Sequence, residues 1–511
     1  MNEAQTAPPP GPTEVVDAPP TAWTAVVCGL VVIGIALRIP TMPVAADGMD
    51  SLLFIRAVIR HAVAEARPHW PGYPVYIWIG KLFAALVGDP TLGLHLLSAV
   101  ASAFTAWPLA VATRAWALSL GATPSKAGWC GWATAALWLV TPMAWVIGGQ
   151  ILSDPVGLAF GATILAVCVA GDRRGPAAWI AAAVLGGLTV GVRLVNVTML
   201  VPVVAEAWRR RAERWRGVPA PLVLLMAGAA GVLPWLVWLA VRDPSALVQG
   251  ASPHVGGHYF RWGETLWTDQ HPLTRPLRAL GTVSVWLGAT ASHGRGVLVA
   301  AAWLTLLALT AASGRRRTPV SRIVGLWAVP HLLYVFVGHD IEYPRYLLSA
   351  VAVLCLVGGL APLRYERAGF AAIVVAVGAM ASVSGPWALS QRRLPPIEIR
   401  VERFLARRAP AALVVVDHSG LQFVVEESGA DVVSVSARAQ DIPTLRQGWE
   451  SVGRETFATD PPPQEPSGWV PVAHFCADRR VNPYLIHDLW LFAPASSPLG
   501  RAGPVTACDG R

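Results

Sequence analysis

The sequence predicts a polytopic α-helical membrane protein of about 11 transmembrane helices, followed by a small extracytoplasmic α/β domain at the C-terminal end. Three observations predict it. The 511 residues are 54% hydrophobic and only 14% charged, where soluble domains are nearer a quarter charged. Mean hydropathy is +0.49, and apolar stretches of about 17–22 residues, the length that crosses a hydrocarbon core of roughly 30 Å, recur along the chain. From about residue 397 that pattern stops and short β-like runs alternate with helical ones.

Residues 1–21 are rich in Pro, Ala and Thr and contain no Lys or Arg. They read as a disordered cytoplasmic tail, and a cleavable signal peptide with a basic start is not expected. The membrane domain covers 22–390. Its first span is 22–41, followed by a polar loop over 42–72 and an apolar segment, 73–87, that lies at or dips into the interface. Further spans are expected at 91–117, 129–147, 152–170, 177–192, 196–208, 220–241, 296–313, 321–338, 345–361 and 368–387. Between them runs a long loop, 242–295, in which 276–291 reads as a membrane-surface helix.

Arginines set the orientation. In this arrangement the short loops on one side carry about 15 basic residues in about 50 positions, against about 10 in about 105 on the other, which makes the first side and the N-terminus cytoplasmic. The +9 net charge is therefore a topology signal, and nucleic-acid binding is not read into it. The 23 Trp suit either an interfacial belt or a membrane core. The same rule gathers the 42–72 loop, Gln150–Asp154, Arg193–Asn196, the 242–295 loop, His339–Tyr346 and the C-terminal domain, 397–511, on the extracytoplasmic face. In that domain Leu413–Asp417, Asp431–Val435, Val470–Phe475 and Ile486–Phe492 read as strands, and Gly420–Glu427 and Pro443–Val452 as helices. Cys28, Cys130, Cys168 and Cys355 fall in spans as small apolar fillers, whereas Cys476 and Cys508 are placed where a disulfide between them is permitted.

The residues that could carry chemistry cluster on this outer face. Asp50 opens a short helical pattern and reads as a helix cap or as a general base; Asp47, just before it, reads as an auxiliary acid or a ligand for a divalent cation. No spacing for a zinc site occurs: in His254–His258 the two intervening glycines break a helix. Pro68-His69-Trp70-Pro71-Gly72-Tyr73-Pro74 is a rigid turn, either interfacial or substrate-shaping, with His69 and Tyr73 in it. Asp154 precedes Pro155 as in an ordinary helix start, or contacts the site. Arg193 breaks the positive-inside trend, and either snorkels or holds an anionic lipid headgroup. In the cluster His339–Tyr346, Arg345 and His339 are candidates for a lipid phosphate, Arg345 because its planar fork matches phosphate oxygens.

Taken together these segments resemble the GT-C class of integral-membrane glycosyltransferases, which includes protein O-mannosyltransferases and the lipid A aminoarabinose transferase. The resemblance rests on the acid after the first span (Asp50, with Asp47 nearby), on PHWPGYPVYIWIGKLFAALVGDP, which looks like the PHPPGYPLY-type stretch of bacterial relatives, on ILSDP at 151–155, and on GHDIEYPRYLLSAVAVL, similar to an HPRYLLP-like start of a late span. It covers the chain to about residue 390. It implies a polyprenyl-phosphate-linked sugar donor, a general base at Asp50 and less directly at Asp47, and a lipid phosphate facing Arg345. The Asp-Glu pair of protein mannosyltransferases is absent, since Ser51 follows Asp50, and no WWD-like motif of an oligosaccharyltransferase occurs.

The expected function is transfer of a sugar, with inversion, from a polyprenyl-phosphate carrier to an extracytoplasmic acceptor (glycan, lipid or protein) at a bacterial cytoplasmic membrane. Asp50 would activate the acceptor; Arg345, Arg193 and His339 would face the phosphate; Tyr73, His69 and Asp154 would shape the pocket. No cofactor is required by this reading, although the two acids are compatible with a divalent cation. A lipid-linked sugar flippase, or a non-catalytic envelope assembly protein, is the alternative. A flippase, however, calls for polar residues at mid-membrane depth and repeated halves, and here they gather at one face with no repeat.

Overall fold

The computed structural model describes residues 21–46, 48–244, 255–291, 294–312, 317–409, 411–416, 433–436, 439–460, 466–476, 488–502 and 504–506. Asp47, His254, Cys508 and the expected helix 420–427 lie outside the described residues.

Helices dominate up to Arg408. In chain order the first eleven are α1 (Thr21–Arg38), α2 (Met49–Ile59), α3 (Pro74–Val87), α4 (Pro90–Phe104), α5 (Ala106–Ser119), α6 (Pro124–Val140), α7 (Pro142–Gly149), α8 (Ser153–Arg174), α9 (Pro176–Val192), α10 (Val201–Arg209) and α11 (Ala220–Arg242). They are followed by α12 (Arg275–Trp286), α13 (Arg295–Ala312), α14 (Pro319–Gly338), α15 (Leu348–Gly358), α16 (Glu366–Arg393) and α17 (Ile397–Arg408). Proline opens many of them at the first helical position, where its missing N–H costs nothing. The Asp89 side chain caps α4 through Leu92 N at 2.6 Å, and Thr318 and Ser321 form a capping box on α14.

Where the sequence predicts about 11 spans, eight helices among the described residues are long and apolar enough to cross a membrane, or nine if the bent pair α6–α7 is one span. The difference has local causes. Pro142 breaks the 129–147 segment into two helices inclined at 54°. The expected span 196–208 is a 3₁₀ stretch, Leu194–Leu200, followed by the nine-residue α10. Helices α3 and α9, of 14 and 17 residues, fall short of full spans. The surface helix expected at 276–291 is α12.

The core of the helical region depends on indoles as much as on aliphatic residues. The Trp138 N–H donates to the Ser102 carbonyl at 2.7 Å, Trp327 to Gly161 at 2.9 Å, Trp23 to Gly128 at 3.0 Å and Trp235 to Gly187 at 3.0 Å. Each pairing joins two helices and satisfies a buried donor. These tryptophans belong to the interior and not to a belt. Arg38, at the end of α1 and 1% exposed, donates to the carbonyls of Gly34, Leu139 and Ala144, which ties α1 to the break between α6 and α7.

Beyond α17 lies a six-stranded mixed sheet. Its strands are β3 (Leu413–Val416), β4 (Val433–Ser436), β5 (Thr456–Ala458), β6 (Trp469–Cys476), β7 (Asp488–Pro494) and β8 (Val505–Thr506), numbered after the small hairpin β1 (Arg214–Trp215) and β2 (Val218–Pro219). The order is β4-β3-β5-β7-β6-β8, parallel at β4-β3-β5 and β6-β8 and antiparallel elsewhere. Strands β5 and β8 were not read from the sequence: at three and two residues they are too short to show alternation. The amphipathic α17 buries Ile397, Val401 and Leu405 against this sheet. Cys476 is disulfide-bonded, while Cys28, Cys130, Cys168 and Cys355 form no disulfide.

Helices α9 and α11 meet through glycines. A Cβ on Gly187 would lie 2.3 Å from the Gly228 carbonyl oxygen, whereas one on Gly29 meets nothing within 4 Å. Without a hydrophobic drive between helices in lipid, such close backbone contact is a main source of their association. Gly187→Leu is expected to lower stability by about 1–3 kcal/mol or more, and Gly29→Leu to leave it unchanged. Thermal unfolding in detergent checks both; equal melting temperatures for the two variants would mean that α9 and α11 are not tightly packed here.

Candidate active site

Asp50 stands in the first turn of α2, but the helix is begun by Gly48, without a side-chain cap. Its carboxylate is turned elsewhere: Oδ2 accepts from Arg345 Nη1 at 2.5 Å, across 295 residues of sequence, and Oδ1 lies 3.8 Å from His69 Nδ1. Ser51 Oγ donates to the Ile151 carbonyl at 3.1 Å and holds α2 against the bend before α8.

The turn 68–74 contributes the next wall. The Arg67–Pro68 and Trp70–Pro71 bonds are cis, and Gly72 and Tyr73 have φ of 91° and 46°, so the backbone reverses within a few residues before Pro74 starts α3. His69 Nε2 and the Tyr73 hydroxyl are 2.9 Å apart. Phe54 packs edge-on against Tyr73 and Tyr76 at 5.0 and 4.8 Å.

The late cluster supplies the opposite wall. Arg345 Nη2 donates to the Tyr346 hydroxyl at 2.9 Å, and its guanidinium stands 4.8 Å from the Tyr346 ring centroid. The Arg193 guanidinium lies 5.3 Å from the same ring, and His339 stacks on it at 4.2 Å and 15°. Arg193 does not snorkel. Its side chain is only 11% exposed and donates to Asp154 Oδ2 at 2.7 Å and Ser153 Oγ at 3.1 Å. Asp154 therefore does more than start a helix: it compensates the buried Arg193.

Electrostatics separate these groups. Burial disfavours the Asp50 carboxylate, but Arg345 first, then His69 and Arg193, outweigh it and hold the carboxyl well below the usual carboxylate range. Burial pushes the His69 imidazole down, only partly offset by Asp50. Burial, reinforced by Arg193, His258 and Arg345, pushes His339 far down. His339 is thus a neutral hydrogen-bonding group, where the sequence suggests a partner in neutralising phosphate. Burial raises Asp340, on the same loop, to about 6.

Two contributors, Arg275 and Ser349, are not marked by the sequence. The more deeply placed is Arg275, 1% exposed, which donates to Asp269 Oδ2 at 2.7 Å, Phe336 O at 2.7 Å, Glu264 O at 3.0 Å and to the His339 carbonyl. It clamps the 255–278 part of the long loop onto the segment that carries His339 and Arg345. His258 Nε2 meets the Gly338 carbonyl at 2.9 Å on the same wall. Asn196 Nδ2, Ser349 Oγ and both His339 ring nitrogens have no hydrogen-bond partner among the described residues. All three residues line one cavity of about 20 Å³ with Asp154, Arg193 and Arg345. Buried polar atoms without partners are costly, and here they face one polar space.

The chain superposes on ArnT from Cupriavidus metallidurans bound to undecaprenyl phosphate with a TM-score of 0.55, covering 93% of this chain and 99% of that one at 13% identity. It has the GT-C fold. The apo form of ArnT gives the same TM-score and identity over 94% of this chain and 99% of that one. A more distant likeness is to arabinosyltransferase EmbB from Mycobacterium smegmatis, at TM-score 0.43 and 14% identity over 69% of this chain and 32% of that one. No protein-family profile matches the sequence, and neither does any curated protein. The GT-C resemblance read from the motifs thus extends to the three-dimensional arrangement.

Of the residues expected at a site, the structure brings together Asp50, His69, Tyr73, Asp154, Arg193, His339 and Arg345; Asp47 lies outside the described residues. A group of three ligating side chains among the described residues, His474, Cys476 and Asp488, lies on strands β6 and β7 of the C-terminal sheet, and its sulfur is in a disulfide.

Two outcomes follow from the charge pairs. Asp154→Asn leaves Arg193 buried and uncompensated and is expected to cost about 3–5 kcal/mol; unfolding of wild type and variant in lipid nanodiscs measures it, and a cost within experimental error would mean that Arg193 reaches water. Arg345→Gln removes the main opponent of burial at Asp50, so its carboxyl should titrate higher, toward or above the ordinary value of about 3.9. Since Asp50 is held below its unfolded value, the pair's stabilisation is present above about pH 4 and is lost as pH falls through the folded value. Infrared titration of the carboxyl band tests this, and identical curves for wild type and variant would rule the pairing out.

Proposed function

We propose that the protein is a membrane glycosyltransferase that moves a sugar from a polyprenyl-phosphate carrier to a hydroxyl acceptor on the outer face of a bacterial cytoplasmic membrane. The observation that carries the reading is the Asp50–Arg345 pair, a carboxylate and a guanidinium from opposite ends of the helical region meeting beside a polar cavity. The GT-C fold, shared with a protein crystallised with undecaprenyl phosphate, supports it.

The donor phosphate approaches Arg345, whose fork binds phosphate as readily as carboxylate. Asp50 is a weak base while Arg345 holds it. When the phosphate takes over that guanidinium, Asp50 becomes more basic and faces the acceptor. It takes the hydroxyl proton as the acceptor oxygen attacks the anomeric carbon, and the bond from that carbon to the phosphate oxygen breaks with its electron pair on the phosphate. One displacement inverts the anomeric centre. Arg345, with Arg193 behind the Tyr346 ring, stabilises the charge that develops on the leaving group. His339, Asn196 and Ser349 offer uncharged hydrogen-bonding groups to the donor head, while His69 and Tyr73 close the pocket from the α3 side. The C-terminal sheet, on the same outer face, positions the acceptor. A divalent cation on Asp50 would have to compete with Arg345; EDTA in the assay tests whether it does.

The test is transfer from a panel of radiolabelled polyprenyl-phosphate sugars by purified protein in lipid. Wild type should transfer one of them, with Asp50→Asn lower by about 10²–10⁴-fold, the usual worth of a general base, in protein shown by its melting curve to be folded at the assay temperature. Arg345→Gln should lower turnover as well as donor binding. Binding of the carrier without any transfer would replace this reading by transport or anchoring, and full activity of Asp50→Asn would remove Asp50 as the base.

A further inference from the structure

On the face opposite the candidate active site, the arginine-rich one, a cavity of about 730 Å³ opens between α9, α10 and the start of α14. Its size is that of a ligand site. One wall is apolar, from Pro202, Ala205, Ile323 and Leu326; the other carries Arg209, Arg317 and Arg322 against the single acid Glu206. Glu206 is already engaged by Arg209, at 2.7 and 2.6 Å, and by Arg210. The capped N-terminus of the 20-residue α14, with Thr318 and Ser321, also borders the cavity and adds its positive dipole end.

A second observation points to a ligand. Trp179 is 1% exposed, lines this cavity, and its indole N–H has no hydrogen-bond partner among the described residues. Of the buried indoles in the helical region that lack a partner among the described residues, Trp179 and Trp303, Trp179 lines the cationic cavity. A buried donor at a cationic cavity calls for an anionic acceptor. The depth is marked by Trp208, 72% exposed at the end of α10 with the Arg211 guanidinium 5.3 Å from its ring centroid, an arrangement typical of the headgroup layer. Val204, a turn earlier, is 64% exposed toward the acyl region.

We propose that this cavity binds the phosphate headgroup of an anionic bilayer phospholipid, with Arg317 and Arg322 on the phosphate, the Trp179 N–H donating to it, and the acyl chains leaving along the apolar wall. A bilayer lipid is the occupant because the cavity joins that apolar wall to the cationic one at headgroup depth, a full span away from Arg345. The site is independent of the transferase reading.

Native mass spectrometry of the full chain in detergent, titrated with phosphatidylglycerol, tests the proposal. Wild type should hold one lipid more than Arg317→Gln/Arg322→Gln, whose affinity should fall by about tenfold for each charged hydrogen bond lost. Trp179→Phe, which keeps most of the ring and deletes the donor, should weaken binding severalfold. Arg211→Gln, outside the cavity, should bind as wild type. Equal phosphatidylglycerol binding by the double variant and wild type would overturn the proposal. So would full displacement by equimolar inorganic phosphate, which would make it a free-anion site, or selective loss of undecaprenyl phosphate binding in the double variant, which would make it a carrier site.

Discussion

An ionised group at the edge of a membrane has to be compensated by another, because water is scarce and the dielectric is low. Around the candidate active site three acids meet that demand with three arginines: Asp50 with Arg345, Asp154 with Arg193, and Asp269 with Arg275. The pairs span 295, 39 and 6 residues of sequence. The first two fasten the first loop to the late cluster and α8 to the end of α9; the third lies within the long loop, whose Arg275 also reaches the Phe336 and His339 carbonyls around the end of α14. The shape of the pocket is largely what these pairings permit.

The pairs also divide the work. Asp154 and Asp269 are committed to buried arginines and leave little for a ligand. Asp50 is different, since Arg345 is also the group best suited to receive a phosphate. In the proposed reaction, a carboxylate that shares its guanidinium with an incoming anion is restrained until that anion arrives, which would tie proton abstraction to donor binding. Tyr346 is central to this arrangement: its ring contacts Arg193, Arg345 and His339, so movement at one is felt by the others.

Tryptophan plays the corresponding part inside the helical region. The indoles of Trp23, Trp138, Trp235 and Trp327 each reach a backbone carbonyl on a neighbouring helix, and glycines such as Gly187 let those helices approach. Small residues and indole donors thus supply the specificity that hydrophobicity cannot provide among lipid-like surfaces. Among the described residues Trp179 and Trp303 depart from the pattern, and at Trp179 the departure coincides with the cationic cavity.

By itself the sequence determined the membrane class, most apolar helices, the strands from Leu413 onward that are long enough to alternate, and the residues on which chemistry was expected. Those features depend on composition and on local period, which a chain carries in linear form. It also marked Asp50, Arg193 and Arg345 individually, because charge beside an apolar span is conspicuous. Tertiary structure alone decided what each of them touches. Asp50 could be a helix cap until Arg345 was seen on its oxygen; Arg193 could snorkel until Asp154 was found beside it; His339 could be cationic until burial next to two arginines was seen to disfavour its charged form. The short helices α7 and α10 and the clamp by Arg275 were hidden for the same reason. Their lengths and partners are set by packing between segments far apart in the chain, and no local pattern encodes that.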